Sequence, residues 1–175
     1  MKKSIAIAAL GFAAALSAHA GPISVETWYL GGFDGTVGGA VTGAGPAGGA
    51  SNPGAPAWTF TIASDYVLSV IDCCLVGDTF NVFNGATLLG TTAVGTAGGC
   101  VIAVSCDTLP GVGRGDFLLS AGSYSISMTV ATTVGSGNLF FNVRDVPGRV
   151  PEPGTLALAG LALVGLAAAR RRKQA

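Results

Sequence analysis

Histidine is nearly missing from this 175-residue chain: there is one, His19, and it lies within the first twenty residues. Between Gly21 and Val150 lysine is missing as well, and so is any Gly-x-Ser-x-Gly elbow. Without an imidazole or an ammonium base, a Ser-His-Asp or Cys-His catalytic arrangement is excluded from that span. Charge is scarce too, at 10% of residues, and the formal net charge of zero hides an asymmetry. Lys2, Lys3, Arg170, Arg171, Arg172 and Lys173 are all terminal. From Gly21 to Val150, eight acids (Glu26, Asp34, Asp65, Asp72, Asp78, Asp107, Asp116 and Asp145) stand against Arg114, Arg144 and Arg149, which leaves five negative charges. A domain of that sign repels phosphate backbones, so nucleic acid is not an expected partner.

What is present begins with an address. Residues 1–20 carry a basic start at Lys2 and Lys3, an apolar run from Ile5 to Leu16, and the small-residue site Ser17-Ala18-His19-Ala20. This is the pattern of a signal peptide cut by signal peptidase after Ala20, and it is set aside from fold reasoning. All four cysteines, Cys73, Cys74, Cys100 and Cys106, fall in one stretch of an exported chain. An even number in an oxidising compartment points to two disulfides, with three connectivities open. A bridge between adjacent cysteines strains the peptide joining them, so bridges from Cys73 and Cys74 to Cys100 and Cys106 are expected, in either order. A four-thiolate zinc site is the rival, but the spacing is not that of paired C-x2-C knuckles.

The span 21–145 reads as one β domain. Ile23–Leu30 is a first strand, followed by a Gly-, Ala- and Pro-dominated stretch over 31–56 that predicts a flexible loop or arm. The Gly43-to-Gly48 match to G-x-G-x-x-G inside it is coincidental: a dinucleotide site needs a strand before it and a helix after it, whereas here glycine surrounds the motif and Pro46 sits inside it. Trp58, Phe60 and Ile62 alternate with threonines, a half-buried strand. Tyr66–Asp72 and Thr79–Phe83 follow, and Asn84-Gly85 is a hairpin signal that returns the chain through Thr87–Thr92. Residues 93–115 read as a Gly-rich loop pinned to the sheet by the disulfides. Asp116–Leu119, Ser123–Val130 and Leu139–Val143 complete eight short strands. Tyr124, Ile126, Met128 and Val130, alternating with Ser and Thr, give the cleanest period of two. The pattern predicts an all-β fold, an antiparallel β-sandwich or jelly roll, with no amphipathic helix in the domain.

Candidate chemistry is thin. Asp72 and Asp78 are the candidates for a hydrolytic carboxylate pair, but acids beside turns more often serve as solvated caps. No catalytic residue, cofactor or metal ligand is assigned. The alternative to a structural role is a secreted carbohydrate- or calcium-binding module. Calcium would draw on Asp65, Asp72, Asp78, Asp107 and Asp116 at strand ends. Carbohydrate would stack on Trp28, Tyr29 or Trp58, although Trp58 falls in an apolar alternating set. Arg114-Gly115-Asp116 is uninformative as a tripeptide in a Gly-rich loop.

The C-terminus is the specific part. After a linker over 146–150 come Pro151-Glu152-Pro153, held extended by its prolines. Residues 155–169 have no charge, and Arg170-Arg171-Arg172-Lys173 follow. As a transmembrane helix, 155–169 would be about 22 Å long, short of the ~30 Å hydrocarbon core. The basic cluster then stays cytoplasmic. In this order, over residues 151–175, the three parts resemble the PEP-CTERM sorting signal of Gram-negative bacteria. That resemblance implies an exosortase substrate: a transient inner-membrane anchor, removal of the tail, and delivery to the cell surface or extracellular matrix, in systems associated with exopolysaccharide and biofilm. Trp58-Thr59-Phe60, Asp72-Cys73, Gly77-Asp78-Thr79-Phe80, Gly90-Thr91-Thr92, Phe117 and Ala121-Gly122-Ser123-Tyr124 also resemble β-sandwich domains found ahead of such tails. A structural or adhesive matrix protein is the function this implies.

Overall fold

The computed structural model describes residues 21–146. By its contacts the chain divides into Met1–Arg144 and Asp145–Ala175. The predicted signal peptide, the sorting motif, the transmembrane segment and the basic cluster lie outside the described residues.

The elements in order are β1 (Tyr29–Phe33), β2 (Thr42–Gly43), β3 (Trp58–Ile62), β4 (Tyr66–Asp72), β5 (Thr79–Asn84), β6 (Thr87–Thr91), α1 (Ala103–Thr108), β7 (Arg114–Leu119), β8 (Gly122–Thr132) and β9 (Gly137–Asp145). They form two sheets, β2-β1-β9-β4-β7 and β3-β8-β5-β6. The fold is an all-β sandwich of antiparallel sheets, as the alternating patterns predict. Trp58, Phe60 and Ile62 turn the same way into the interior, and Thr59 and Thr61 turn out. On β8 the same alternation buries Ile126, Met128 and Val130. Asn84-Gly85 closes the β5–β6 hairpin, with Gly85 at φ 57° supplying the left-handed conformation such a turn needs.

The interior joins the sheets through large side chains. Trp58 of β3 and Phe141 of β9 meet with ring centroids 4.6 Å apart, and Phe33 of β1 meets Phe80 of β5 edge-on at 5.1 Å. Both are contacts between sheets, and each adds a directional term to the area buried. The Trp58 indole N–H donates to Gly54 O at 3.1 Å, so its one polar atom is satisfied although the residue is fully buried.

A second apolar cluster lies on the other face of the five-stranded sheet. Leu30, Ile71 and Phe140 are covered there by Ala50, Cys100, Ala103, Cys106 and Val112. The central strands β4 and β9 are therefore buried on both faces. Runs such as Leu139-Phe140-Phe141 and Val70-Ile71 fit that position.

Three expectations are corrected. The predicted strand over Ile23–Leu30 is split: Ile23 pairs with the edge of β3 through Ile23 N–H to Thr59 O at 3.0 Å, while β1 starts at Tyr29 in the other sheet. Glu26, at φ 58°, turns the chain between them. The stretch 31–56 is not a flexible arm. Gly31 and Gly32 are part of β1, β2 pairs with it, and Val41 is fully buried. On the way, Gly38 and Val41 donate to Val130 O and Met128 O at 2.8 and 3.0 Å, and Val130 donates to Gly39 O at 2.9 Å. Those bonds continue along the β8 edge past Ile126, where its pairing with the first residue of β3 stops, so this segment leaves one sheet and joins the other. Glycine is what allows the close approach: a Cβ on Gly31 would sit 2.7 Å from the Val41 side chain. Finally, 93–115 is not all loop. It holds α1 and the start of β7, and it forms the layer that covers Leu30, Ile71 and Phe140.

Replacing Trp58 by Ala removes the largest fully buried side chain and its contact with Phe141. Thermal or urea unfolding is expected to show a loss of about 3–5 kcal/mol; a loss under about 1 kcal/mol would contradict this packing.

Candidate functional site

The cysteines and most of the chemistry-bearing side chains gather around the β4–β5 connection and the layer that covers it. The structure pairs Cys73 with Cys74 and Cys100 with Cys106. This corrects the expected cross-bridges. All four residues do come together, but through packing: Cys73, Cys100 and Cys106 share one apolar cluster with Cys74 against it. The reason lies in α1, which folds the chain back within six residues and brings Cys100 and Cys106 to a Cα separation of 5.4 Å. Backbone bonds then pin the layer in the way the disulfides were expected to do. Gly99 N–H donates to Cys74 O at 2.9 Å, and Asp72 N–H donates to Gly113 O at 2.8 Å.

Asp72 and Asp78 are not solvated caps. Asp72 ends β4 on the interior side and is 3% exposed, and Asp78, just before β5, is 2% exposed. Asp78 Oδ1 accepts the Val134 N–H at 2.9 Å, whereas Asp72 Oδ1 has no hydrogen-bond partner. Burial pushes the Asp72 carboxyl up from its ordinary 3.8 to about 7. The negative charge of Asp78 adds to the rise, and a backbone hydrogen bond from Asp78 offsets part of it.

On the outward face of the five-stranded sheet, the two cations of the described residues are both engaged. Arg114 Nη2 reaches Asp107 Oδ1 at 2.5 Å, and its Nη1 donates to Asp107 O at 2.9 Å. Arg144 Nη1 donates to Asp107 Oδ2 at 2.6 Å and its Nη2 to Ser69 Oγ at 3.0 Å. Ser69 Oγ in turn donates to Asp116 Oδ1, and Asp116 lies 3.5 Å from Arg114 Nε. One carboxylate on α1 thus holds an arginine on β7 and another on β9, which docks the helix on the sheet. Sequence reasoning missed this network. Ser69 and Arg144, polar positions inside otherwise buried strands, were the available signal. Arg114-Gly115-Asp116 opens β7 rather than sitting in a loop, and both of its charged side chains belong to the network.

The five acids considered for calcium separate into Asp72 with Asp78, Asp107 with Asp116, and Asp65 at a turn. Among the described residues no three His, Cys, Asp or Glu side chains gather in a way that could hold a metal ion. Of the candidate sugar platforms, Trp58 and Tyr29 are buried and Trp28 packs against the outer apolar cluster. Tyr29 stacks on Phe141 at 5.5 Å, and its hydroxyl accepts the Ser24 N–H at 2.8 Å.

The geometry defines a disulfide-bearing antiparallel β-sandwich with an added covering layer. The model of the PEP-CTERM protein-sorting motif matches residues 149–173. The chain therefore carries the sorting motif of an exported, surface-directed protein handled by an exosortase. The match spans Pro151, Glu152, Pro153 and the cluster Arg170, Arg171, Arg172 and Lys173. No curated protein matches the chain. Among solved structures, the pre-peptidase C-terminal domain of collagenase from Bacillus anthracis is similar over 71% of this chain and 94% of that one. Its 18% identity and TM-score of 0.38 carry no argument about function. Among the described residues, no helix is long and apolar enough to cross a membrane.

The buried Asp72 carboxyl gives stability a definite pH dependence. Its pKa is near 7 in the fold and about 3.8 when unfolded, so between those values only the folded chain keeps the proton. Stability from this group is full below about 3.8, falls as pH rises towards 7, and is level above it. Asp72→Asn removes that term. Relative to wild type, the variant should gain stability progressively from pH 4 to pH 7, by a few kcal/mol in all at about 1.4 kcal/mol per pKa unit. A wild-type–variant difference that stays flat across this range in urea titrations would contradict the assignment.

Proposed function

We propose that the chain is a structural or adhesive component of the bacterial cell surface or extracellular matrix, set in exopolysaccharide or biofilm. Export begins with the signal peptide over 1–20, and residues 155–169 hold the chain in the inner membrane until the exosortase removes the tail. The observation that carries this reading is the PEP-CTERM motif at 149–173, placed directly after a closed sandwich.

The domain that is delivered acts by what it displays and does not turn over a substrate. Several features support this reading. Between Gly21 and Val150 no histidine or lysine is available as a base. The cysteines are bonded to one another, and Asp107 and Asp116 are held by arginines. Asp72 and Asp78 lie inside the sandwich, beyond the reach of a polymeric substrate. A carbohydrate-binding role finds less support, since the aromatic side chains at 28, 29 and 58 are turned to the cores.

Intact-mass measurement of the protein released from the cell surface tests the reading. The expected species has lost residues 1–20 and everything beyond a cut near Pro151. A released protein that retains 156–169 would overturn the processing step and leave a permanent anchor.

A further inference from the structure

We propose that the Cys73–Cys74 bridge is a redox site, opened and re-formed by exchange with an external dithiol while the sandwich stays folded. Its place in the chain sets it apart from the other bridge. In chain-entropy terms a disulfide stabilises a fold through the loop it closes in the unfolded chain, and more so for a longer loop. Cys73 and Cys74 are adjacent, so their bridge closes no loop, whereas Cys100–Cys106 has a sequence separation of 6 and clips the chain at α1. Opening the first therefore removes almost no constraint on the unfolded chain. Opening the second loosens the layer that covers Leu30, Ile71 and Phe140.

Backbone and surroundings point the same way. Cys74 holds φ 80°; apart from Glu26 it is the one residue other than glycine with positive φ among the described residues. A residue with a Cβ keeps that conformation only where its neighbours fix it, and such positions gather at functional sites. Here the fixing bonds are Leu75 N–H to Cys73 O at 3.0 Å and Gly99 N–H to Cys74 O at 2.9 Å. Access differs as well. Cys73, Cys100 and Cys106 are 4%, 8% and 0% exposed, whereas Cys74 is half-buried beside the exposed Leu75 and Val76. Thiol exchange needs a sulfur that the attacking thiolate can reach, and Cys74 offers it. The reduced state is provided for too: Cys73 Sγ lies 3.4 Å from Cys100 O, an acceptor for the thiol that opening creates.

The exchange balances with the dithiol as its one reagent. A thiolate of the dithiol attacks Cys74 Sγ and forms a mixed disulfide. The Cys73–Cys74 bond breaks, and Cys73 keeps the electron pair and takes a proton from water. The second thiolate then attacks the dithiol's first sulfur, so that Cys74 leaves as a thiolate and is protonated in turn. Two electrons and, through water, two protons pass to the protein, and the dithiol departs as a disulfide. The reverse steps re-form the bridge. A dithiol is the fitting class because both of its thiols work through the one sulfur in reach. This inference rests on the sandwich alone and does not depend on how the chain is sorted.

The test is to equilibrate the purified full chain in buffers of graded reduced-to-oxidised dithiothreitol. Thiols are trapped with N-ethylmaleimide and mapped by peptide mass, and folding is followed by circular dichroism. Untreated protein should map as Cys73–Cys74 and Cys100–Cys106. As the ratio rises, Cys73 and Cys74 should become alkylated together with the β spectrum unchanged. That step should come at a ratio at least about 10-fold below the one that opens Cys100–Cys106. Return to oxidised dithiothreitol should restore the same pair. The variant Cys73→Ala/Cys74→Ala should lose the first step and keep the second at the wild-type ratio; if it fails to fold, the wild-type map decides. The proposal is overturned if both bridges open at one ratio, if Cys100–Cys106 opens first, or if the first step coincides with unfolding. A bridge from Cys73 or Cys74 to Cys100 or Cys106 in the untreated protein overturns it as well.

Discussion

The constraint on which the rest of this structure depends is that one glycine-rich segment must serve both sheets. Residues 38–41 hydrogen-bond to β8 in the four-stranded sheet, and residues 42–44 then hydrogen-bond to β1 in the five-stranded one. Between them, Val41 inserts its side chain into the sandwich interior. A β8 edge left open there would expose unpaired backbone groups beside the largest apolar cluster, which invites edge-to-edge association. The small residues that make the segment look unstructured are what let it lie so close. At Gly48, φ is 60° and a Cβ would come within 2.9 Å of the Phe140 ring. The strand, the corner and the covering of Phe140 all need the same lack of side chain.

A second economy concerns charge. A domain this poor in charged residues uses its cations structurally. Arg114 and Arg144 both bind Asp107, and that carboxylate is the polar attachment of α1 to the sheet. The apolar attachment, Ala103 and Cys106 against Ile71 and Phe140, lies in the same layer. Neutralised in this way, neither cation of the described residues is free to meet a polyanion. The acids at the other boundary of the layer, Asp72 and Asp78, sit where solvent does not reach, and one of them rests near the edge of protonation at neutral pH. An acidic sandwich whose two described arginines are tied into its own frame is compatible with a displayed building block.

Much of the fold was legible in the sequence, because side-chain alternation carries the strand signal directly. Trp58–Ile62 and Tyr66–Asp72 have the bounds the pattern implies, and β5, β6, β8 and β9 differ from it only at their ends. What was not legible has physical causes. Glycine has no side chain with which to announce a partner, so β2 and the corner at 38–41 could not be told from a loop. Helix α1 is six residues long and has no side-chain cap, so no periodicity could register. The disulfide pairing was not legible, because the strain of a bridge between adjacent cysteines can be read from the sequence and the fold-back that brings Cys100 to Cys106 cannot. Burial of Asp72 and Asp78 was hidden for a related reason. Acids beside turns are usually wet, and only the covering layer and the 132–136 turn enclose these two. The sorting motif, by contrast, is a linear signal and could be read outright.

Native-state hydrogen exchange, resolved to single amides, tests the central claim most directly, that the glycine-rich segment is a structural part of both sheets. The amides of Gly38, Val41 and Ala44 donate to Val130 O, Met128 O and Leu30 O at 2.8, 3.0 and 3.0 Å. The account predicts that they exchange at least about 100-fold slower than an unstructured chain and in step with the amide of Val130. Exchange of these three at the unstructured rate, while Val130 stays protected, would contradict it.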